Sequence, residues 1–293
     1  MKIGVQLPEV ERLVRWPEYK AMAVAAEQGG LDSLWVGDHL LYDLPDRTTR
    51  GPWECWTLLA GLAAVTETIE LAPLVASTSF HSPAMLANKA VTVDEISGGR
   101  LTVALGAGWN NREYTAFGYP FDKRVSRFEE AFTIIRTLLR QGRIDFAGEY
   151  YQLQDCVLDP PARPDLTLMV GSSGPRMMAI TVPHIDAWNI WFADFDNDPA
   201  QLPSKIAVVD KAAEAAGRDS TEIAKTAALL VQLSDNPERR NADNPIIGAD
   251  SALEALEAAR ESGIDHVQLV LDPITLETVE RAVEVVGTFR QNE

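Results

Sequence analysis

Short β-rich runs alternate along this chain with amphipathic runs of about 10 to 17 residues, the pattern of βα units around a parallel sheet. The β-runs are Lys2–Leu7, Ser33–Gly37, Ile69–Ala76, Leu101–Leu105, Leu166–Val170, Ala187–Phe192, Thr226–Leu233 and His266–Leu271. Between them lie helical runs over Trp16–Gln28 and Glu54–Val65, one from Pro83 to Ser97, and others over Ser204–Ala216 and Ser251–Ser262. Pro17 and Pro83 suit first turns. Phe128, Ala131, Phe132, Ile135 and Leu138 recur at helical spacing on one face, as do Leu276, Val279, Val283, Val286 and Phe289 in the last helix. Arg143 to Val157 reads as a hairpin laid over the body, and Asp38–Pro52 and Ser234–Ala249 as long polar loops.

Eight β-runs in strict alternation with helices predict a closed (β/α)8 TIM barrel with insertions, an α/β fold spanning residues 1–293 as a single domain. A doubly wound open sheet is the alternative. It would more usually carry a Gly-x-Gly-x-x-Gly turn after the first strand, where this chain has Pro8-Glu9-Val10-Glu11-Arg12.

Composition narrows the function. The chain has 293 residues, 26 basic against 43 acidic, and a net charge of −17. Such a field repels phosphate backbones and anionic membranes, which argues against nucleic-acid or membrane partners. Cys55 and Cys156 are the only cysteines, too few for a disulfide framework or a four-thiolate metal site. The N-terminal run has no signal-peptide character, and no apolar run approaches the ~18 residues that span a bilayer. A soluble, cytoplasmic protein is expected. The six glutamates Glu254, Glu257, Glu261, Glu277, Glu280 and Glu284 fall opposite the apolar stripes, on outer helix faces.

In a barrel, chemistry sits at the carboxyl ends of the strands. The second strand ends in Gly37-Asp38-His39, two titratable groups of which the histidine can donate a proton near neutral pH. The alternative is that Asp38 caps a turn and His39 packs beneath the loop. The third strand runs into Ser77-Thr78-Ser79, hydroxyls suited to a polar ring edge or to a capped loop; His81 reads as loop structure. The fourth and fifth strands end in Gly106-Ala107-Gly108 and Gly171-Ser172-Ser173-Gly174. Two such turns form a neutral anion cradle built from amides, suited to a phosphate-bearing ligand. Trp53, Trp56 and Trp109 offer an aromatic wall for a flat ligand, with core packing as the default for each. The four histidines show no metal-ligand spacing, so no metal is expected. No Gly-x-Ser-x-Gly elbow is present either.

The segments Gly30–His39, Pro83–Leu101 and Gly106–Gly118, with Gly171–Pro175 and Gly217–Ile223, resemble the bacterial luciferase-like superfamily of flavin and deazaflavin oxidoreductases. The resemblance implies a (β/α)8 barrel holding coenzyme F420 or FMN, with the phosphate tail at Gly106, Ala107, Gly108, Gly171, Ser172 and Ser173. It implies that Asp38 reaches a deazaflavin ring, that His39 is the neighbouring proton donor, and that Ser77 touches the ring. It also implies a bulge behind the ring at a cis Leu74–Val75 bond, with Val75 as part of the cofactor site. Trp109 stands where sugar-phosphate dehydrogenases of the branch using F420 carry a glutamate; indole cannot exchange that proton, which argues against sugar-phosphate oxidation and for an apolar, flat pocket. Three functions follow: hydride transfer between F420 and a small ketone, enone or alcohol; monooxygenation through reduced FMN and oxygen; or non-catalytic deazaflavin binding, which needs a blocked pocket. A homodimer or larger homo-oligomer is expected from the family. Substrate identity lies in loops that vary freely on one scaffold.

Overall fold

The computed structural model describes residues 1–44, 48–234 and 244–292. The barrel strands are β1 Lys2–Gln6, β2 Ser33–Val36, β3 Glu70–Pro73, β4 Thr102–Gly106, β5 Thr167–Gly171, β6 Ala187–Ile190, β7 Ala224–Gln232 and β8 His266–Leu271. Neighbours pair in parallel in the order β3-β2-β1-β8-β7-β6-β5-β4.

Closure happens inside the third strand. The sequence predicts one run from Ile69 to Ala76, but a cis Leu74–Val75 peptide divides it, as the family resemblance implies. Glu70–Pro73 pairs with β2, and the resumed segment Ala76–Ser77 pairs with Leu105 and Gly106 of β4. Leu71 also bridges Leu101. The two halves of one strand thus join both edges of the sheet, and the open-sheet alternative is excluded.

Strand alternation sorts the side chains. In β1, Ile3 and Val5 are fully buried beneath the helices, while Gly4 and Gln6 take the opposite side. The barrel interior holds only a small apolar cluster, Trp35, Ala72, Leu74, Ala104, Met169 and Ala187. The extensive core lies outside it, between strands and helices. Towards the mouth the inward residues of β4 and β5 are Gly106 and Gly171.

The helices follow their periodicity: α1 Trp16–Gln28, α2 Cys55–Ala63, α3 Pro83–Ser97, α4 Asn111–Phe117, α5 Arg124–Gln141, α6 Pro175–Thr181, α7 Leu202–Ala215, α8 Ala252–Glu261 and α9 Leu276–Gln291. The second is shorter than Glu54–Val65, because Glu54 is its cap and accepts the Thr57 N–H at 2.7 Å. Helix α5 ends where Gly142 takes φ 74°, a conformation other residues resist. The hairpin Arg143–Ala147 with Gln152–Val157 is present. The first long loop contains the short pair Tyr42–Asp43 and Thr49–Arg50. Of the second, Ser234–Ala249, residues 235–243 lie outside the described residues, and Ile247–Gly248 runs beside β7. No helix among the described residues is long and apolar enough to cross a membrane.

Candidate active site

The strand ends enclose a cavity of about 700 Å³, within the roughly 300–1,000 Å³ typical of small-molecule sites. It is lined by nine of the residues expected from sequence: Asp38, His39, Val75, Ser77, Gly106, Ala107, Gly108, Gly171 and Ser172. Ser173 is exposed and is not part of the lining.

Asp38 and His39 leave β2 in different directions. Asp38 is 4% exposed, and its Oδ2 accepts the Ser77 backbone N–H at 2.8 Å and lies 2.8 Å from His81 Nε2. His81 therefore does more than fill a loop. It holds the carboxylate that ties the end of β2 to the resumed half of β3. His39 Nδ1 stands 3.1 Å from both oxygens of Glu113, a residue on α4 that is 1% exposed. Glu113 Oε1 also accepts the backbone N–H groups of Leu40 at 2.6 Å and Leu41 at 3.3 Å. With Nδ1 committed to a carboxylate, Nε2 is the nitrogen left for a ligand. Burial lowers the His39 pKa, but the hydrogen bond to Glu113 and the charges of Glu9, Glu113 and Asp38 outweigh it, and the net shift is upward. The ring is walled by Tyr42, 4.7 Å away between centroids, and Trp109, 5.8 Å away.

Glu9 reaches this wall because Gly37 has no side chain: a Cβ there would lie 1.6 Å from Glu9 Oε1. The same oxygen accepts from Gln6 Nε2 at 2.9 Å.

On the other side, the glycine turns are built differently from a simple amide cradle. A Cβ on Gly106 would stand 2.8 Å from Val75 Cγ2, and one on Gly171 3.2 Å from Val75 Cγ1. The space these glycines free is thus taken by Val75, whose side chain forms an apolar platform across the ends of β4 and β5. Gly108 takes φ +73°, and a Cβ there would meet Tyr114 Oη at 2.2 Å and Ser77 Oγ at 2.5 Å. Arg124 donates to the Gly108 carbonyl at 2.9 Å, and Trp188 Nε1 donates to the Ser172 carbonyl at 2.7 Å, which pin both turns.

These features fit a flat cofactor with an anionic tail. The Ser77 hydroxyl oxygen is buried on the cavity wall and has no hydrogen-bond partner, a state that is costly unless a ligand meets it. Arg124 supplies a cation on the same side. Among the described residues no cluster suits a metal ion.

Sequence reasoning missed Glu113, Glu9, Gln6 and Arg124, and assigned His81 to loop structure. It also grouped three tryptophans, of which only Trp109 lines the mouth. Trp56 is buried in the core, and Trp53 lies in an outer groove beside α1, its Nε1 donating to the Val14 carbonyl at 2.8 Å. Trp191 joins Trp109 on the cavity wall instead.

The comparisons with known proteins agree with this architecture. The pyrimidine monooxygenase RutA of Methylorubrum extorquens (strain PA1) is 30% identical over 275 residues, 87% of this chain and 71% of that protein. The pyrimidine monooxygenase RutA of Cronobacter sakazakii (strain ATCC BAA-894) is 36% identical over 171 residues, 57% of this chain, and the match spans only 50% of that relative. Among solved structures, an F420-dependent secondary alcohol dehydrogenase in complex with an F420-acetone adduct superposes with a TM-score of 0.83 at 19% identity, covering 98% of both chains. EDTA monooxygenase (EmoA) from Chelativorans sp. BNC1 gives a TM-score of 0.81 at 15% identity, over 100% of this chain and 94% of that one. The luciferase-like monooxygenase family model matches residues 2–280, so the chain belongs to that family of oxidoreductases.

Proposed function

We propose that the barrel mouth holds coenzyme F420 and that the protein passes a hydride between it and a small ketone, enone or alcohol. The observation that carries this reading is the His39–Glu113 pair. A histidine whose pKa is raised, anchored through Nδ1 and presented at a cavity wall, is a proton donor poised near neutral pH. Hydride addition to a carbonyl carbon needs such a proton at the oxygen.

When bound, the cofactor supplies or accepts the hydride at its C5. His39 Nε2 gives the proton to the carbonyl oxygen as the alcohol forms, and takes it back in the reverse direction. Glu113 fixes the imidazole tautomer and stabilises the imidazolium. Val75 would support the ring from behind, Ser77 and Asp38 would meet its polar edge, and Arg124 with the backbone of Ala107–Gly108 and Ser172 would hold the phosphate tail. Trp109 and Tyr42 screen the reacting atoms from water.

A second reading, reduced FMN with oxygen, is favoured by the pyrimidine monooxygenases at 30% identity over most of the chain. A non-catalytic carrier has no use for an anchored acid beside its ligand.

One titration separates the cofactors: the protein is mixed with coenzyme F420 or with FMN and the quenching of each fluorophore is followed. Low-micromolar quenching of F420 alone is expected; tight FMN binding without an F420 response overturns the proposal. His39→Ala is expected to bind F420 normally and turn over slowly.

A further inference from the structure

In an eight-stranded barrel β1 and β5 lie diametrically opposite. The platform, the glycine turns and Arg124 belong to the β3–β5 side. Gln6 and Glu9, from the end of β1, flank His39 on the other side. We infer that this β1–β2 sector recognises a substrate through a nitrogen-borne hydrogen, an ammonium or ring N–H, received by the Gln6 side-chain oxygen beside the Glu9 carboxylate. The inference deepens the reading above and rests on it only for the placement of the reacting carbon near His39.

Three observations converge. Gln6 is 2% exposed and lines the cavity, and its Oε1 is buried without a hydrogen-bond partner. The orientation of the amide is fixed by its neighbour. Nε2 donates to Glu9 Oε1 at 2.9 Å, and an ionised carboxylate only accepts, so the oxygen is the free end. A buried acceptor of this kind is met by a donor, and rejects a group that is itself only an acceptor. Finally, the sector is acidic. Glu9, Asp38 and Glu113 line the cavity there, and the cationic Arg124 comes from the opposite side. A positively charged or N–H-bearing ligand is favoured by that field, and an anionic one is opposed by it.

The ring of such a substrate would pack on Trp109, whose centroid is 5.8 Å from that of His39, with its nitrogen towards Gln6 and its carbinol or carbonyl carbon towards His39 Nε2. No other chemistry is required of Gln6: it neither gives nor takes a proton, and sets only which substrates fit.

The test uses three alcohols of one shape, piperidin-4-ol, cyclohexanol and oxan-4-ol, titrated against the cofactor-free protein with tryptophan fluorescence as the readout. They differ only in whether an ammonium, a methylene or an ether oxygen faces Gln6. Piperidin-4-ol is expected to bind about tenfold more tightly than cyclohexanol, and oxan-4-ol no more tightly than cyclohexanol. Gln6→Met, unbranched and similar in volume, leaves the three carboxylates in place and is expected to reduce the preference severalfold while keeping the affinity for cyclohexanol. Equal affinities for the three alcohols overturn the inference, as does a preference undiminished in Gln6→Met or the failure of all three to bind. The ligand series on the unaltered protein decides the matter even if the variant does not fold. Because no cofactor is present, a result against F420 leaves this one standing.

Discussion

His81 Nε2 lies 2.8 Å from Asp38 Oδ2, inside a node that also takes the backbone N–H of Ser77. Two stretches far apart in sequence meet on that one oxygen: the end of β2, and the run from the resumed half of β3 into the loop before α3. Taking away the imidazole leaves a nearly buried carboxylate with one bond fewer, which costs about 1–3 kcal/mol. His81→Ala is therefore expected to lower the urea-unfolding free energy by that amount and to weaken binding of the proposed cofactor, because Ser77 and the platform behind it lose their tether. His81→Gln, which keeps a donor, is expected to recover part of both. Unchanged cofactor affinity in His81→Ala would detach the node from the site.

Glu113 governs His39 in the same way, with a readable sign. Burial alone lowers the His39 pKa, and the bond to Glu113 together with the surrounding carboxylates raises it above its ordinary 6.5. A folded value above the unfolded one means stability that is fully present below about pH 6.5 and lost as pH rises through the folded value. Glu113→Gln keeps an acceptor for Leu40 and Leu41 but removes the charge. Its imidazole proton resonances are expected to titrate at lower pH than in the parent. Its stability deficit is expected to be largest on the acid side and to shrink above the parent's His39 pKa. An unmoved titration would remove Glu113 from the proton-handling pair.

The alternation of apolar positions made the barrel legible because strand and helix periods are local properties of the chain. The strand ends were legible too, since Gly37-Asp38-His39 and the glycine turns stand beside recognisable strands. What escaped was everything that depends on distant pairing. Glu113 is 74 residues from His39, and nothing in Asn110–Glu113 distinguishes it from an ordinary first-turn acid. His81 and Asp38, 43 residues apart, meet only once β3 has closed the barrel. The glycines illustrate a different limit. A missing Cβ at Gly106 reads the same whether a phosphate or a neighbouring side chain occupies the space, and here Val75 occupies it.

That packing makes a quantitative prediction. Gly106→Ala places a methyl 2.8 Å from Val75 Cγ2, an overpacking worth about 1–3 kcal/mol. Val75→Ala alone removes partly buried methyl groups and costs roughly 1 kcal/mol. In the double variant the new methyl enters the space the valine vacates. Urea unfolding of the four proteins is expected to show a coupling of about 1 kcal/mol or more in the favourable direction. Additive losses would mean that Val75 does not fill the Gly106 site.

His266 sits at the opposite end of the barrel from the mouth and behaves in the opposite sense to His39. Its Nε2 is 2.7 Å from Ser33 Oγ, which accepts the Trp35 indole N–H at 2.7 Å. Indole only donates, so the serine hydroxyl hydrogen is left for Nε2, and the imidazole is neutral. Burial is the main cause of a pKa lowered from 6.5 to about 3, with the charges of Lys2 and the N-terminus adding to it. On acidification from pH 6.5 to about 3 the unfolded chain therefore takes up a proton at His266 that the folded chain refuses. The stability this group contributes is complete above the unfolded value and is lost as pH falls, with a slope of about 1.4 kcal/mol per pH unit for one proton. His266→Gln keeps a polar group against Ser33 but cannot titrate. Urea unfolding at a series of pH values across that window is expected to show a slope shallower by about one proton in the variant, whatever its stability at pH 7. Parallel slopes in the two proteins would mean that His266 is charged in the folded barrel, and the hydrogen-bond chain through Ser33 would then have to run the other way.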